Sequence, residues 1–288
     1  MTLLVRASTA VLCALLLVPA TQASAQLVAA KDGPIVYGHH HLNVSNAEAS
    51  RKFFVDALGG VPAKLGTIEM IKFPNAMVML AARQPSGGSK GTTVDHFAFS
   101  VPDLRQVLDR IKAAGFPIVT ATEAPANVQV KGDIGVVEGG PVSGIAYAMA
   151  PDDMKIELIE MKAQTQPILS HHVHFTGAQK EMQAWYMETF GAKAGTSANA
   201  AAFISATLPG LTMNFTPAQG TVATRGRAID HIGFEVKNLE AFVKQLEAKG
   251  IKPNVPYRSV PQAGLAIAFI TDPWGTYIEL TEGLDKVN

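Results

Sequence analysis

The chain has 288 residues, in which 24 Lys and Arg balance 24 Asp and Glu. With no net charge, no overall field favours nucleic acid or an anionic membrane as a partner. The expected partner is therefore a small-molecule substrate, with a second copy of the chain, forming a homodimer, as a further candidate. Nucleic acid is not expected as a partner. A membrane is not expected either, once the N-terminal secretion signal has been removed.

Residues 1–25 have the pattern of a secretion signal, with Arg6 before an apolar run from 10 to 18 and small residues ahead of Gln26. The apolar run is too short to span a bilayer. The only cysteine, Cys13, lies inside that run, so the mature chain is expected to have no disulfide. The sequence thus predicts a periplasmic or secreted protein.

The rest of the chain contains an internal repeat. Residues 95–101 recur as 230–236, and 39–44 recur more weakly as 172–177. Four similar units therefore follow one another in the order A, B, A′, B′. We call them modules 1 to 4.

Each module has the same predicted local structure: an alternating strand, a helix of about three turns, then shorter strands. In module 2 the helix carries apolar residues at helical spacing and stops at Gly115; these residues are Leu104, Val107, Leu108 and Ile111. The pattern predicts an α+β fold of four βαβββ modules.

Consecutive modules are expected to pair into two domains, 33–163 and 168–284. The linker is predicted within 164–170, which contains Pro167. The segment 120–143 is longer than its counterpart in module 4, and both a lid and a plain insertion remain open as interpretations.

All eight histidines fall in the first strands of the modules: His39, His40, His41, His96, His171, His172, His174 and His231. Side chains alternate along a strand, and the apolar set must face the helix. Four histidines at matching positions therefore lie on the opposite, more polar face: His39, His96, His172 and His231.

The last strands of modules 2 and 4 supply an acid on the same face, Glu157 and Glu279. The equivalent residues of modules 1 and 3 are Met79 and Asn214. With consecutive modules paired, two predicted metal-ligand sets result: His39, His96 and Glu157, and His172, His231 and Glu279.

Two imidazoles and one carboxylate suit Fe(II), Mn(II) or Zn(II) and leave coordination positions open, as catalytic sites do. The competing interpretation is that each histidine is an ordinary strand residue whose polar tip is satisfied locally.

Three further residues are candidates for catalysis. His41 and His174 share the face of the leading histidines. Three roles are open for them: hydrogen-bond donation to the ligands, general-base catalysis, and polar lining of the site. Tyr147 is placed to donate to a bound oxygen anion. His40 and His171 are predicted to point away from the site or to precede it, and the methionines from Met70 to Met79 to pack in the core.

The chain resembles the vicinal oxygen chelate superfamily in three features. These are the leading histidines, the paired βαβββ-type modules and the ending Asp-Pro-x-Gly-x-x-Ile-Glu-Leu at 272–280. That group contains glyoxalase I, extradiol dioxygenases, fosfomycin-modifying transferases and bleomycin-resistance proteins. The resemblance implies that two modules close a half-open barrel around a divalent ion held from their first and last strands. Four modules in one chain resemble the two-domain extradiol dioxygenases, whose active metal position matches His172, His231 and Glu279.

Two functions follow as hypotheses. The first is a metal-dependent enzyme, a lyase, isomerase or dioxygenase, whose ion holds a small substrate through two neighbouring oxygens. The second is a metal-free binding or sequestering protein of the bleomycin-resistance kind, which holds its ligand by shape.

Overall fold

The structure is a computed structural model that describes residues 34–195 and 203–286. The predicted secretion signal lies outside these residues. The four modules span 35–82, 94–160, 169–217 and 229–282, and the predicted α+β fold is confirmed. None of the described helices is both long enough and apolar enough to cross a bilayer.

Modules 1 and 2 follow the predicted order, and module 2 has one additional strand. Module 1 consists of β1 (Ile35–Val44), α1 (Ala47–Arg51, extended by a π-helical turn Lys52–Ala57), β2 (Val61–Leu65), β3 (Ile68–Phe73) and β4 (Ala76–Ala82). Module 2 consists of β5 (Val94–Val101), α2 (Leu104–Ala113), α3 (Thr120–Glu123), β6 (Gln129–Lys131), β7 (Ile134–Val136), β8 (Gly144–Ala150) and β9 (Met154–Glu160). The long segment 120–143 thus forms the short helix α3 and the hairpin β6–β7.

Modules 3 and 4 repeat the simpler pattern. Module 3 consists of β10 (Leu169–Gly177), α4 (Gln179–Phe190), β11 (Lys193–Ala194), β12 (Ile204–Leu208) and β13 (Leu211–Pro217). Module 4 consists of β14 (Ile229–Val236), α5 (Leu239–Ala248), β15 (Val255–Val260), β16 (Leu265–Thr271) and β17 (Tyr277–Glu282).

Local sequence signals set the helix boundaries. The Asp103 side chain caps α2 by accepting a hydrogen bond from the Gln106 amide at 3.0 Å. Gly115 follows the helix with φ +87°, a left-handed conformation that favours glycine. The apolar face predicted for α2 is buried.

The modules form two sheets, but not in the predicted pairs. Sheet 1 has the order β15-β16-β17-β14-β1-β4-β3-β2, which joins modules 4 and 1. Sheet 2 has the order β11-β12-β13-β10-β5-β9-β8-β7-β6, which joins modules 3 and 2. The prediction that consecutive modules pair, and with it the grouping of each domain around one sheet, is therefore wrong.

The helix-covered faces explain this arrangement. Modules 1 and 2 pack through these faces, where Phe53 and Phe116 meet edge to face at 5.1 Å. The Arg110 Nε donates to the Ala57 carbonyl oxygen at 2.9 Å in the same contact. Because modules 1 and 2 pack face to face, their leading strands do not pair edge to edge. Each leading strand pairs across the halves instead: β1 with β14, and β10 with β5.

The two sheets differ in how their concave faces are filled. The inner face of sheet 1 is packed by a separate cluster of large side chains: Leu65, Met70, Met77, Met79, Leu265 and Leu284. We call it the methionine cluster. The packing role predicted for these methionines agrees with their burial. Sheet 2 has a smaller cluster there, Ala98, Ile145, Tyr147 and Ile159.

Candidate metal centres

Strand pairing gathers the histidines and glutamates into two clusters. The ligand atoms within each lie within 4.8 Å of one another. Site 1 consists of His39, His41, His231 and Glu279; site 2 consists of His96, His172, His174 and Glu157. Each keeps the predicted two leading histidines and one glutamate, but His39 and His172 have exchanged places. The predicted ligand sets are wrong in that respect, because modules 1 and 4, and 2 and 3, share a sheet.

In site 1 a single carboxylate oxygen meets both leading histidines. Glu279 Oε2 lies 2.9 Å from His39 Nε2 and 3.0 Å from His231 Nε2. His231 Nδ1 donates to Asp230 Oδ1 at 2.6 Å. Asp230 is held in turn by the Asn43 side chain, which donates to its Oδ2 at 2.9 Å. The aspartate thus fixes the imidazole with Nε2 towards the centre.

Site 2 repeats this geometry. Glu157 Oε2 lies 3.0 Å from His96 Nε2 and 3.1 Å from His172 Nε2. His96 Nδ1 donates to Asp95 Oδ1 at 2.7 Å. Here a buried Lys155, rather than an asparagine, forms an ion pair with the aspartate.

The electrostatics follow from burial and these contacts. Burial alone raises the pKa of Glu157 and Glu279, but contacts with the histidines outweigh it and leave both pKa values well below their usual range. Burial lowers the pKa of His96 and His231, but hydrogen bonds to aspartate and glutamate raise it overall. Both centres therefore favour an anionic carboxylate beside positive charge.

The donor atoms fit a divalent cation. Four buried ring nitrogens have no hydrogen-bond partner among the described residues: His39 Nδ1, His40 Nδ1, His41 Nδ1 and His172 Nε2. His40 belongs to neither cluster, and the other three rings do. His172 Nε2 is near Glu157 but lacks the direction of a hydrogen bond. Imidazole nitrogens and a carboxylate that converge in a buried place, with part of their bonding capacity unused, form a donor set suited to Fe(II), Mn(II) or Zn(II).

His41 and His174, predicted as catalytic candidates, lie within these clusters as fourth members. Each stacks near a leading histidine: His41 lies 4.3 Å from His231 and His174 lies 4.5 Å from His96, measured between ring centroids. His174 Nε2 is also 2.7 Å from Thr216 Oγ1. Burial lowers the pKa of His41 to about 3, so this ring is neutral at pH 7.

Tyr147 belongs to site 2 alone. Its hydroxyl donates to Glu157 Oε1 at 2.9 Å, which is the carboxylate oxygen that does not face the histidines. Tyr147 pairs with Glu157 across β8 and β9, and the equivalent pair in β16 and β17 is Phe269 with Glu279. Site 1 therefore has no such donor at that position.

Each site borders a cavity, and the two cavities differ. That of site 2 has a volume of about 440 Å³ and is bordered by His172, His174, Glu157 and Tyr147. Most of its remaining lining is apolar, including Val128, Val137, Val142, Ile145, Ile159 and Phe203. Residues of the long segment 120–143 form one wall, so that segment covers the site.

The cavity of site 1 is smaller and more polar. Its volume is about 350 Å³, and it borders His41 and His231 but not His39 or Glu279. The exposed Arg83 and Arg225 also line it. The interior of sheet 1 beyond the ligands is occupied by the methionine cluster.

Sequence reasoning missed four residues around the centres. Asp95 and Asp230 directly precede the two leading histidines of modules 2 and 4, and this repeated Asp-His pair was a usable signal. Lys155 gave no such signal, since it reaches Asp95 only in the folded chain. His171 lines the cavity of site 2, contrary to the prediction that it points away. His40 does lie away from the centre, stacked on Phe97 at 3.8 Å.

Fold and sites together define a paired-module protein with two buried histidine and glutamate centres. The family profile of the Glyoxalase/Bleomycin resistance protein/Dioxygenase superfamily matches residues 36–130 and 168–280, which is more than half of the chain. The chain therefore belongs to this superfamily, the vicinal oxygen chelate group that its sequence resembles. A comparison with curated proteins found no match.

Solved structures share the architecture across most of the chain. Glyoxalase I from Zea mays superposes with a TM-score of 0.67 at 18% identity, covering 88% of this chain and 94% of that one. A glutamate-to-glutamine mutant of the same maize enzyme gives 0.65 at 19% identity, covering 89% and 96%. A supposed dioxygenase from Bacillus subtilis subsp. subtilis str. 168 gives 0.59 at 12% identity, covering 85% and 84%. At these identities the likeness shows the fold.

Proposed function

We propose that the protein is an exported, divalent-metal-dependent enzyme that acts at site 2 on a small oxygen-bearing organic molecule. One observation carries the choice of site: three members of the site 2 cluster, His172, His174 and Glu157, line a cavity large enough for a small ligand. At site 1 the glutamate is outside the adjoining cavity, and the methionine cluster fills the sheet interior.

The residues that would hold the ion at site 2 are His96, His172 and Glu157, with His174 beside them. When bound, a divalent ion supplies a Lewis acid that stabilises negative charge developing on a substrate oxygen. Fe(II), Mn(II) and Zn(II) all suit this donor set.

The other groups of the site prepare this function. Asp95 accepts the Nδ1 proton of His96 and so keeps the Nε2 of that ring free to face the centre. The Tyr147 hydroxyl donates to Oε1 of Glu157 and so orients Oε2 of the same carboxylate towards the histidines. The wall formed by the 120–143 segment limits access of water to the cavity, which strengthens electrostatic interactions inside it.

A second candidate function is binding or sequestering a small molecule without metal. The largely apolar lining of the cavity supports it, because such a lining holds a ligand by shape and contact. The convergent histidines and glutamate have no role in that alternative.

Metal loading distinguishes the two candidates. The mature protein would be reconstituted anaerobically with Fe(II), Mn(II) or Zn(II), its metal content measured, and each form assayed with hemithioacetals and with catechols. We expect retained metal and a turnover that Glu157→Ala abolishes and Glu279→Ala leaves in place. A protein that retains no metal, or that binds a ligand equally well without it, contradicts the enzyme proposal.

Export is a separate part of the proposal and rests on the signal-like composition of residues 1–25. After expression of the full chain in a Gram-negative bacterium, N-terminal sequencing of the periplasmic fraction should give a start near Gln26. An uncleaved chain in the cytoplasm contradicts it.

A further inference from the structure

The leading strands of modules 1 and 3 share an irregularity just before their ligand histidine. The register of β1 against β14 shifts between Tyr37 and His39, and that of β10 against β5 shifts between Ser170 and His172. The unpaired residue is Gly38 in β1 and His171 in β10. Such a bulge breaks the strict alternation of side chains. This explains how His171 and His172, although consecutive, both line the cavity of site 2.

The two rings contact each other directly. His171 Nδ1 lies 2.9 Å from His172 Nδ1. His172 Nε2 faces Glu157 Oε2, so a metal ligand at this position would bind through Nε2 and carry its proton on Nδ1. The Nδ1–H of His172 then donates to His171 Nδ1, which must accept.

This assignment determines where the proton of His171 lies. A ring that accepts a hydrogen bond at Nδ1 has no proton on that atom, so it has one N–H group. With Nδ1 accepting, that group is Nε2–H. No hydrogen bond joins Nε2 to another of the described residues, and the ring is only half-buried in the cavity lining.

We infer that His171 is a substrate-binding residue of site 2, whose Nε2–H donates to an oxygen of a compact, largely apolar ligand seated beside His172 and Glu157. The inference rests on the proposed function, because the tautomer follows from metal binding by His172. The apolar lining fixes the character of the ligand body, and the donor requires an acceptor oxygen on it.

Site 1 has no counterpart to this donor. A Cβ atom on Gly38 would lie 3.1 Å from the Gly233 carbonyl oxygen and 3.3 Å from the Glu235 amide nitrogen, so the backbone there packs tightly without a side chain. The same bulge thus carries a ligand-facing imidazole in one centre and nothing in the other.

Two substitutions separate the contact with the ligand from the support of His172. His171→Asn places an amide near the Nδ1 position, where it can accept from His172 but cannot reach the ligand. His171→Gln places its amide near the Nε2 position, where it can donate to the ligand but no longer supports His172. The probe is tropolone, a small ring with a carbonyl and a hydroxyl on adjacent carbons.

Tropolone binding would be followed by absorbance on protein loaded with Zn(II), with the metal content measured before and after titration. Loss of one hydrogen bond should weaken tropolone binding about tenfold in His171→Asn, with metal affinity unchanged within about threefold. His171→Gln should show the reverse: metal affinity lower by about tenfold, and tropolone binding at saturating Zn(II) within about threefold of wild type.

Wild-type tropolone affinity in loaded His171→Asn, or equal weakening in both variants, would overturn the role of His171. That result leaves the proposed function standing. Wild-type protein that retains no Zn(II) contradicts the proposed function itself, so the two failures can be told apart.

Discussion

Sites 1 and 2 have the same ligand types in the same geometry, yet their surroundings have diverged. In both, one glutamate oxygen meets two leading histidines at 2.9–3.1 Å, and an aspartate holds one of those histidines from behind. Around site 1 the sheet interior is packed by the methionine cluster. Around site 2 it opens into a cavity of about 440 Å³.

The difference shows which features the repeat fixes and which it leaves free. Donor positions follow from strand register, so both copies keep them. The residues beside the ligands differ between the copies. Tyr147, His171 and Ala98 lie beside site 2, and the equivalent positions of site 1 hold Phe269, Gly38 and Gly233. These three exchanges accompany the difference in the space around the two centres.

The largest expected effect concerns the exchange of Gly233 and Ala98. A Cβ atom on Gly233 would lie only 2.1 Å from Cε1 and 2.2 Å from Nδ1 of His39. Gly233→Ala should therefore displace the His39 ring, lower metal affinity at site 1 by at least about 100-fold, and cost about 1–3 kcal/mol of stability. Metal titration and urea unfolding measure the two effects.

The matched control is Ala98→Gly, because Ala98 faces His172 in site 2 as Gly233 faces His39 in site 1. It should retain metal and lose only about 0.5–1 kcal/mol of stability. If Gly233→Ala binds two equivalents with wild-type affinity, the described position of His39 is wrong.

Replacing the aspartates that hold His96 and His231 should cost different amounts of stability at the two sites. Asp95→Asn and Asp230→Asn are each expected to weaken their own site by about 10–100-fold, since an amide orients the ring less well than a carboxylate. Asp95→Asn also leaves buried Lys155 with the more distant Glu123, at 3.5 Å, as its remaining carboxylate. Its stability loss should be about 3 kcal/mol or more, against about 1–3 kcal/mol for Asp230→Asn.

Urea unfolding of the two metal-free variants decides this point. Equal losses would show that Lys155 does not depend on Asp95 for its charge, and that the two supports are equivalent.

The smallest effect should come from Tyr147. Tyr147→Phe removes one hydrogen bond to Glu157, so metal affinity at site 2 should fall about fivefold, with about 1 kcal/mol of lost stability. The control, Phe269→Leu, removes no hydrogen bond at site 1 and should leave its affinity unchanged. Unchanged metal affinity in Tyr147→Phe would mean that ring packing, and not the hydroxyl, supports the glutamate.

Much of the fold could be predicted because its signals are local. The alternation of 95–101, the helical spacing that ends at Gly115, and the recurrence of both in module 4 depend only on neighbouring residues. The face shared by His96 and Glu157 follows from the same alternation, and the structure places them in contact.

The pairing of modules could not be predicted in this way. The repeat has the same form whether module 1 joins module 2 or module 4, and the choice depends on which helix-covered faces pack together. His171 was misplaced for a related reason, because a bulge in β10 interrupts the alternation on which the prediction relied.

The central claim is that each centre joins modules across the two halves of the chain. Metal content of two double variants tests it directly, with each variant loaded with Zn(II) and dialysed. His39→Ala with His231→Ala should lose one equivalent, because both residues belong to site 1 and site 2 stays intact. His39→Ala with His96→Ala should lose both. The opposite result, two equivalents lost in the first variant and one in the second, would contradict the account.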